Sequence, residues 1–184
     1  MEMQQQEKNR LGTSTDVIAD SIESHLEYLE QAIKQTKQLI ENHFDDHPNL
    51  KTQRDLLTTI PGIGEQSASL LLAEMGNVQA YKNARQVAAH AGLTPVERSS
   101  GSSVHGKPRL SRMGNARLRH ALYWPAIVAM RHNPLLKVFS ERLGDRGKAK
   151  MQVIGAVMRK LLHQVFGILK SQKPFDPNFL STTP

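Results

Sequence analysis

The residues most able to do chemistry lie in residues 98–119, a stretch that combines hydroxyl groups with positive charge. It holds five serines, six Lys or Arg residues and no acid. Three glycines and Pro108 interrupt it, so it is not expected to form one regular helix. A serine hydroxyl can attack or hydrogen-bond a phosphodiester, and arginine guanidinium groups can neutralise phosphate oxygens through paired hydrogen bonds. These residue types indicate a site that handles a nucleic acid backbone.

A serine in this stretch needs help to react, because a neutral hydroxyl is a weak nucleophile without a base, a metal or an electrophilic setting. His105 lies close in sequence and could serve as that base, contact a phosphate or simply face solvent. Sequence distance does not decide between these roles. For the stretch as a whole, the alternative interpretation is a basic linker that has no ligand.

A second motif is the glycine-containing segment Ile60–Gly64. It resembles the hairpin of the helix-hairpin-helix motif, which binds DNA backbone without selecting sequence. Gly62 and Gly64 allow turn conformations closed to other residues, and the amides that begin the next helix favour a phosphate. Glu65 lies where an anion would bind and weakens the case. The alternative is a tight turn between helices that binds nothing.

Composition limits the partners of this chain. It has 184 residues and a net charge of +7, spread unevenly. Residues 1–47 carry ten acids and four bases, whereas the remainder carries twenty bases and seven acids. The basic part suits a polyanion such as nucleic acid. The absence of cysteine excludes disulfides and thiolate zinc sites. The eight histidines show no convincing metal-ligand grouping. His43 and His47 are four residues apart and could lie together on a helix, but an incidental pair is favoured, so no metal site is expected. No apolar run could span a bilayer, so a cytoplasmic protein without membrane contact is expected.

Periodicity predicts a mostly α protein with no strands. Apolar residues recur at steps of three and four from Ala19 to Ile40, which predicts a long helix over about residues 15–44. Such a seam favours a coiled coil that makes homo-oligomers, and an antiparallel hairpin within one chain is the alternative. One further helix from Leu118 to Met130 is expected to kink at Pro125. The expected organisation is a disordered N-terminus over 1–14, a coiled-coil helix over 15–47, a compact helical domain over 50–170 and an extended tail over 171–184.

Five separated segments give the chain a family resemblance. The segments, in order, are Leu56–Gly64, Ala91–Pro95, Ser99–Gly101, Leu110–Asn115 and Leu118–Arg119. In this order, they closely resemble the C-terminal half of a large family of bacterial insertion-sequence transposases. Members of that family join an N-terminal RNase H-like nuclease domain, with an acidic metal-binding tetrad, to a coiled-coil region and a C-terminal serine domain. They are guided by a structured bridge RNA. The resemblance covers roughly residues 15–170.

The resemblance implies roles for particular residues. In the family, a serine next to a glycine attacks a DNA phosphate and forms a phosphoserine intermediate. Here that serine corresponds to Ser100, immediately before Gly101, with the adjoining Ser99 as its rival. Positive groups around it would line the phosphate path and stabilise the leaving oxygen. The expected nucleic-acid-binding residues are Gly62, Ile63, Gly64, Arg98, Gly101, His105, Lys107, Arg109, Arg112, Asn115 and Arg119.

The acidic nuclease domain of the family has no counterpart in this sequence. No cofactor is therefore expected on this chain, and Mg²⁺ is expected only together with that domain. We expect a fragment of a DNA transposase that binds DNA and a structured guide RNA but does not recombine DNA alone, which leaves open whether the chain is itself an enzyme. The alternative is a non-catalytic module for nucleic-acid binding and dimerisation from a truncated transposase.

Overall fold

The computed structural model describes residues 2–100, 104–111 and 113–178. The chain forms two compact units, Met1–Lys51 and Thr52–Pro184. Helices dominate the described residues, which confirms the mostly α class. None of the helices within these ranges has the length and apolar character needed to cross a membrane.

The first unit contains an antiparallel pair of helices, α1 (Glu2–Leu11) and α2 (Asp16–Asp46). The amide Nε2 of Gln4 donates to Glu30 Oε1 at 3.0 Å, and Glu7 Oε1 lies 3.5 Å from His25 Nδ1. The first residues thus form a helix where disorder was expected. Their polar side chains are satisfied along α1 and across to α2, a possibility that composition does not reveal.

Helix α2 ends before Pro48, as its sequence predicts. Its apolar seam, from Ala19 to Ile33, is half-buried in the part of α2 that α1 adjoins. Farther along, Thr36 and Ile40 are exposed. The described geometry therefore contains the intrachain hairpin that was the alternative to a coiled coil, and it leaves the later part of the seam uncovered within this unit.

The second unit is a helical domain centred on its last helix, α9 (Lys150–Ser171). Helices α5, α7 and α8 pack against α9. The apolar face of α9 is buried from Val153 to Leu169, and burying each such side chain is worth about 1.5–3 kcal/mol. Its other helices are α3 (Pro48–Thr58), which begins in the first unit, α4 (Glu65–Met75), α5 (Ala84–His90), α6 (Ala116–Ala121), α7 (Tyr123–His132) and α8 (Pro134–Asp145).

The kinked helix expected around Pro125 is two helices. Helix α6 ends at Ala121, and α7 restarts after Leu122. Pro125 lacks an N–H and its ring would collide with the carbonyl four residues earlier, so the preceding turn cannot continue unbroken. In α7 it occupies the third position, where no intrahelical N–H bond is required.

A two-stranded antiparallel sheet corrects the expectation that the chain has no strands. Strand β1 is Pro95–Ser100 and strand β2 is Val104–Leu110. Together they form a hairpin that contains residues 98–100 and 104–110 of the basic serine stretch. No strand was expected here, because the serines and glycines hide any alternation of apolar and polar residues.

Candidate nucleic-acid interface

The β1–β2 hairpin has a defined register. Ser100 pairs with Val104, Ser99 with His105 and Arg98 with Gly106. The register then shifts by one residue before Val96 pairs with Arg109, so Glu97 faces both Lys107 and Pro108. This is a β-bulge, and a proline is tolerated there because a bulge leaves one residue outside the ladder.

The base of the hairpin is fixed to the helical domain. The Ser111 amide donates to the Thr94 carbonyl at 2.9 Å and continues the pairing beyond β2. The Leu110 side chain packs on α9 at Gly155, where an added β-carbon would lie 3.0 Å from Leu110 Cδ1. The base of the hairpin therefore packs on α9. The residue types that could do chemistry lie in the part of the hairpin farther from this base.

Gly114 makes a second anchor for the end of the basic stretch. Its φ is +138°, and a β-carbon there would overlap the His90 carbonyl oxygen and lie 2.9 Å from the Gly92 nitrogen. The neighbouring Asn115 amide donates to the same His90 oxygen at 2.6 Å. Only glycine permits this contact between the backbone after the hairpin and the end of α5.

Two of the expected nucleic-acid contacts have intramolecular partners. The Asn115 side chain caps α6 by accepting from the Leu118 amide at 3.0 Å, and its Nδ2 donates to Glu74 Oε2 at 2.8 Å. Arg119 is half-buried, and its Nη1 donates to the Ala91 carbonyl at 3.0 Å. These bonds give both residues a positioning role at the base of the hairpin.

The other expected residues of the basic stretch differ in what the structure describes. Arg109 is exposed on β2. Gly101 and Arg112 lie outside the described residues. For the remaining members of the expected site, the backbone is described and the side chains are not: these are Arg98, Ser99, Ser100, His105 and Lys107.

The turn at Ile60–Gly64 divides into a buried part and an open part. Gly62 has a φ of +109°, and a β-carbon there would lie 2.8 Å from the Ala129 nitrogen and 2.9 Å from the Pro125 oxygen, so this glycine packs against α7. Ile63 is buried. Gly64 is exposed at the start of α4, where no side chain caps the helix. Of the three expected contacts in this turn, Gly64 is the one with space for a ligand.

Within the described ranges, no three His, Asp or Glu side chains converge in a way that could hold a metal ion. At the hairpin base, the Glu74 carboxylate accepts a hydrogen bond from Asn115 Nδ2.

Sequence reasoning missed the residues that hold the hairpin in place. Leu110, Gly114 and Gly155 carry its main contacts, and an isolated glycine in a loop or helix gives little indication of its neighbour. A signal for the hairpin itself was present, since the short serine-glycine segment at residues 101–103 separates two runs that both contain valine.

The chain resembles transposases in direct comparison. Residues 54–141 match the model of the family described as Transposase IS116/IS110/IS902 family. The pilin gene-inverting protein of Moraxella bovis is 38% identical over 130 residues, which is 70% of this chain and 40% of that protein. A transposase for insertion sequence element IS1328 from Yersinia enterocolitica is 35% identical over 126 residues, 67% of this chain and 35% of the relative.

A third relative extends the match along more of the chain. The insertion element IS110 uncharacterized 43.6 kDa protein of Streptomyces coelicolor is 29% identical over 160 residues, or 86% of this chain and 38% of that protein. The chain thus spans about two fifths or less of the length of the three relatives compared. The matched region contains the turn, the hairpin and the Gly114 anchor, whereas Gly155, on which Leu110 packs, lies beyond it. In the comparisons, residues 54–141 are therefore similar to the IS116/IS110/IS902 transposase family.

Proposed function

We propose that this chain acts in DNA transposition as the serine domain of a transposase, and that its β1–β2 hairpin contacts the DNA backbone. The observation that supports the proposal is that the helical domain holds the base of the hairpin in place. The two strands are rich in serines and cations, Leu110 packs on α9, and backbone hydrogen bonds fix the chain at the base of both strands. A reactive group must be held in place to approach a phosphodiester productively. The likeness of residues 54–141 to a transposase family supports the same assignment.

In the proposed reaction, a hairpin serine forms a covalent bond to DNA. The serine Oγ gives its proton to a base and bonds to phosphorus, while a bridging P–O bond breaks and the leaving oxygen takes up a proton. Ser100 is the first candidate. Ser99 is its rival, and its strand position lies opposite His105 in the register. If His105 is the base, this register favours Ser99.

The second candidate function is a non-catalytic module that binds nucleic acid. The observation that favours it for the isolated chain is the lack of converging acids among the described side chains. We therefore propose that the chain alone binds DNA, and that the covalent step requires the acidic nuclease domain of a family member together with a structured guide RNA.

Salt dependence tests the binding part. If four to five phosphates are neutralised, affinity for duplex DNA should fall roughly 100- to 500-fold between about 50 and 200 mM salt. The double variant Lys107→Gln/Arg109→Gln should give a shallower slope of log affinity against log salt concentration, which corresponds to the loss of up to about two phosphate contacts. The matched control Lys34→Gln/Lys37→Gln removes the same charge from α2 and should retain the wild-type slope. Equal slopes for the two double variants would contradict the hairpin assignment.

Covalent capture tests the catalytic part. The chain is incubated with element-end DNA, guide RNA, magnesium and the nuclease domain of a family member, and covalent protein–DNA adducts are separated on a denaturing gel. Ser100→Ala should abolish the adduct and preserve binding, whereas Ser102→Ala should preserve both. Loss in Ser99→Ala instead would identify the rival serine. Adducts that survive both substitutions, or strand exchange by the chain alone, would refute the proposed mechanism.

The open part of the turn at Gly64 is proposed as a second backbone contact. Uncapped amides at the start of α4 offer donors to a phosphate. Gly64→Ala adds a methyl group beside them without a described clash, since no atom lies within 4 Å. We expect a several-fold loss of DNA affinity at an unchanged melting temperature. Unchanged affinity would remove this turn from the interface.

We also propose that the exposed end of the α2 seam makes homo-oligomers. Leu39 and Ile40 are 68% and 43% exposed, and Ile40 continues the apolar seam beyond the part of α2 that α1 adjoins. Sedimentation should show a dimer or larger species, and Leu39→Glu/Ile40→Glu should convert it to monomer. A wild-type monomer at tens of micromolar would contradict this assembly.

A further inference from the structure

A groove between α8 and α9 lies outside the hairpin and has a volume of about 840 Å³. Its walls are mainly apolar, with Leu135 and Phe139 from α8 and Ile168 from α9. The chain after α9 closes one side through Phe175, whose amide donates to Thr59 Oγ1 at 2.9 Å. The groove is within the size range of small-ligand sites, which is about 300–1,000 Å³.

Two cationic side chains lie near an aromatic ring in this groove. Arg142 Cζ lies 5.5 Å and Lys160 Nζ 5.7 Å from the centre of the Phe139 ring. Lys173 adds a third lining cation, whereas Asp176 is the one carboxylate among the lining residues. An occupant that complements this surface has a flat apolar part and a negative charge.

His163 adds a polar group to the lining. Its Nε2 is buried and makes no hydrogen bond to any described residue. Burial lowers the pKa of His163, and the nearby Arg159, Lys160 and Arg85 lower it further. The imidazole is therefore mainly neutral at pH 7.

We propose that the α8–α9 groove binds one unpaired nucleotide of a single nucleic-acid strand, with its base against Phe139 and Phe175 and its phosphate near Arg142 and Lys160. A nucleotide combines a flat base for stacking with an attached negative charge. An acidic peptide would satisfy the cations but would leave the aromatic walls without a flat partner. The inference rests on the proposed function in that nucleic acid is the ligand, but the surface is a different one.

A glycine in the groove permits a test that does not weaken the fold. Gly167 is on the α9 side of the lining, and a β-carbon there would meet no atom within 4 Å. Gly167→Leu fills the groove and replaces a poor helix former with a good one, so the variant should melt at or above the wild-type temperature. Gly144→Leu is the matched control, because Gly144 lies in α8 outside the groove lining and its β-carbon position is also open.

The assay measures binding of a fluorescent 12-nucleotide thymidine strand and of a duplex by anisotropy. Gly167→Leu should lower affinity for the single strand about tenfold, as loss of one stacked base does, and should leave duplex affinity unchanged. Gly144→Leu should match wild type for both. Phe139→Leu keeps an apolar side chain, removes the ring face and should also weaken single-strand binding. Ultraviolet crosslinking of a strand containing 5-iodouracil should label the peptides that contain Phe139 or Phe175.

The outcomes separate this inference from the proposed function. If Gly167→Leu and Phe139→Leu bind the single strand like wild type, or if crosslinks map away from the groove, the inference is overturned while duplex binding by the hairpin stands. Displacement by an acidic peptide without any crosslink in the groove would overturn it in favour of a protein partner. If wild type binds neither strand nor duplex at low salt, both proposals fail.

Discussion

Substituting Gly62 by alanine is the sharpest test of how the turn before α4 is built. This glycine has a φ of +109°, a region that other residues rarely adopt. The new β-carbon would lie 2.8 Å from both the nitrogen and the β-carbon of Ala129, and 2.9 Å from the Pro125 oxygen. Ordinary contacts begin near 3.4 Å, so the turn and α7 must separate by about 0.6 Å in a closely packed interior.

The cost has two parts. A left-handed backbone conformation costs a non-glycine residue about 1–2 kcal/mol. Overpacking against the backbone of α7 adds about 1–3 kcal/mol, because backbone atoms cannot rotate away as a flexible side chain can. The free energy of unfolding should therefore fall by about 2–5 kcal/mol, which lowers the melting temperature of a domain of this size by roughly 6–15 °C.

Thermal unfolding followed by circular dichroism measures this effect, and Gly64→Ala is the matched control two residues away. Gly64 has a φ of −94° and no atom within 4 Å of the added methyl group. We expect its melting temperature to change by no more than about 2 °C, since the lost glycine freedom in the unfolded chain offsets a weaker cap. A Gly62→Ala variant that melts with wild type would refute the packing of this turn on α7.

The anchors of the hairpin and the buried histidine give three further predictions. Asn115→Ala removes a helix cap and the bond to Glu74, and urea unfolding should show a loss of about 1–2 kcal/mol. Arg119→Ala removes a charge-assisted bond to a carbonyl, with an expected loss of about 1–3 kcal/mol in the same assay, and an unchanged urea midpoint would contradict its positioning role. The folded pKa of His163 is below the ordinary 6.5, so the unfolded chain binds more protons and stability falls as pH drops below about 6.5. His163→Gln should flatten the dependence of the melting temperature on pH between 7.5 and 5.5 relative to the exposed control His132→Gln, and identical curves would contradict the assigned cause.

Much of the helical framework could be predicted from the sequence because its signals are local. Pro48 limits α2, Gly76 ends α4 with a φ of +60°, and the apolar repeat of α9 gives its buried face directly. The helix breaks at Leu122, before the predicted kink at Pro125, because the ring of a proline collides with the carbonyl four residues before it.

The site was harder to predict because its geometry depends on contacts between residues far apart in sequence. The capping of α6 by Asn115 involves Glu74, 41 residues earlier, and Leu110 reaches Gly155 on α9. Charge and residue type indicated the basic stretch as the candidate site. They gave no means of separating cations available to a ligand from those, such as Arg119, that bond to the backbone of the domain.

The bulge in the hairpin has a consequence for how the protein avoids associating with itself. A two-stranded sheet has two open edges, and each could recruit a strand from another molecule. Pro108 provides no amide hydrogen on β2, and the extra residue beside it bends the strand out of line with any straight neighbour. The bulge therefore discourages a strand of another molecule from pairing with the open edge of β2.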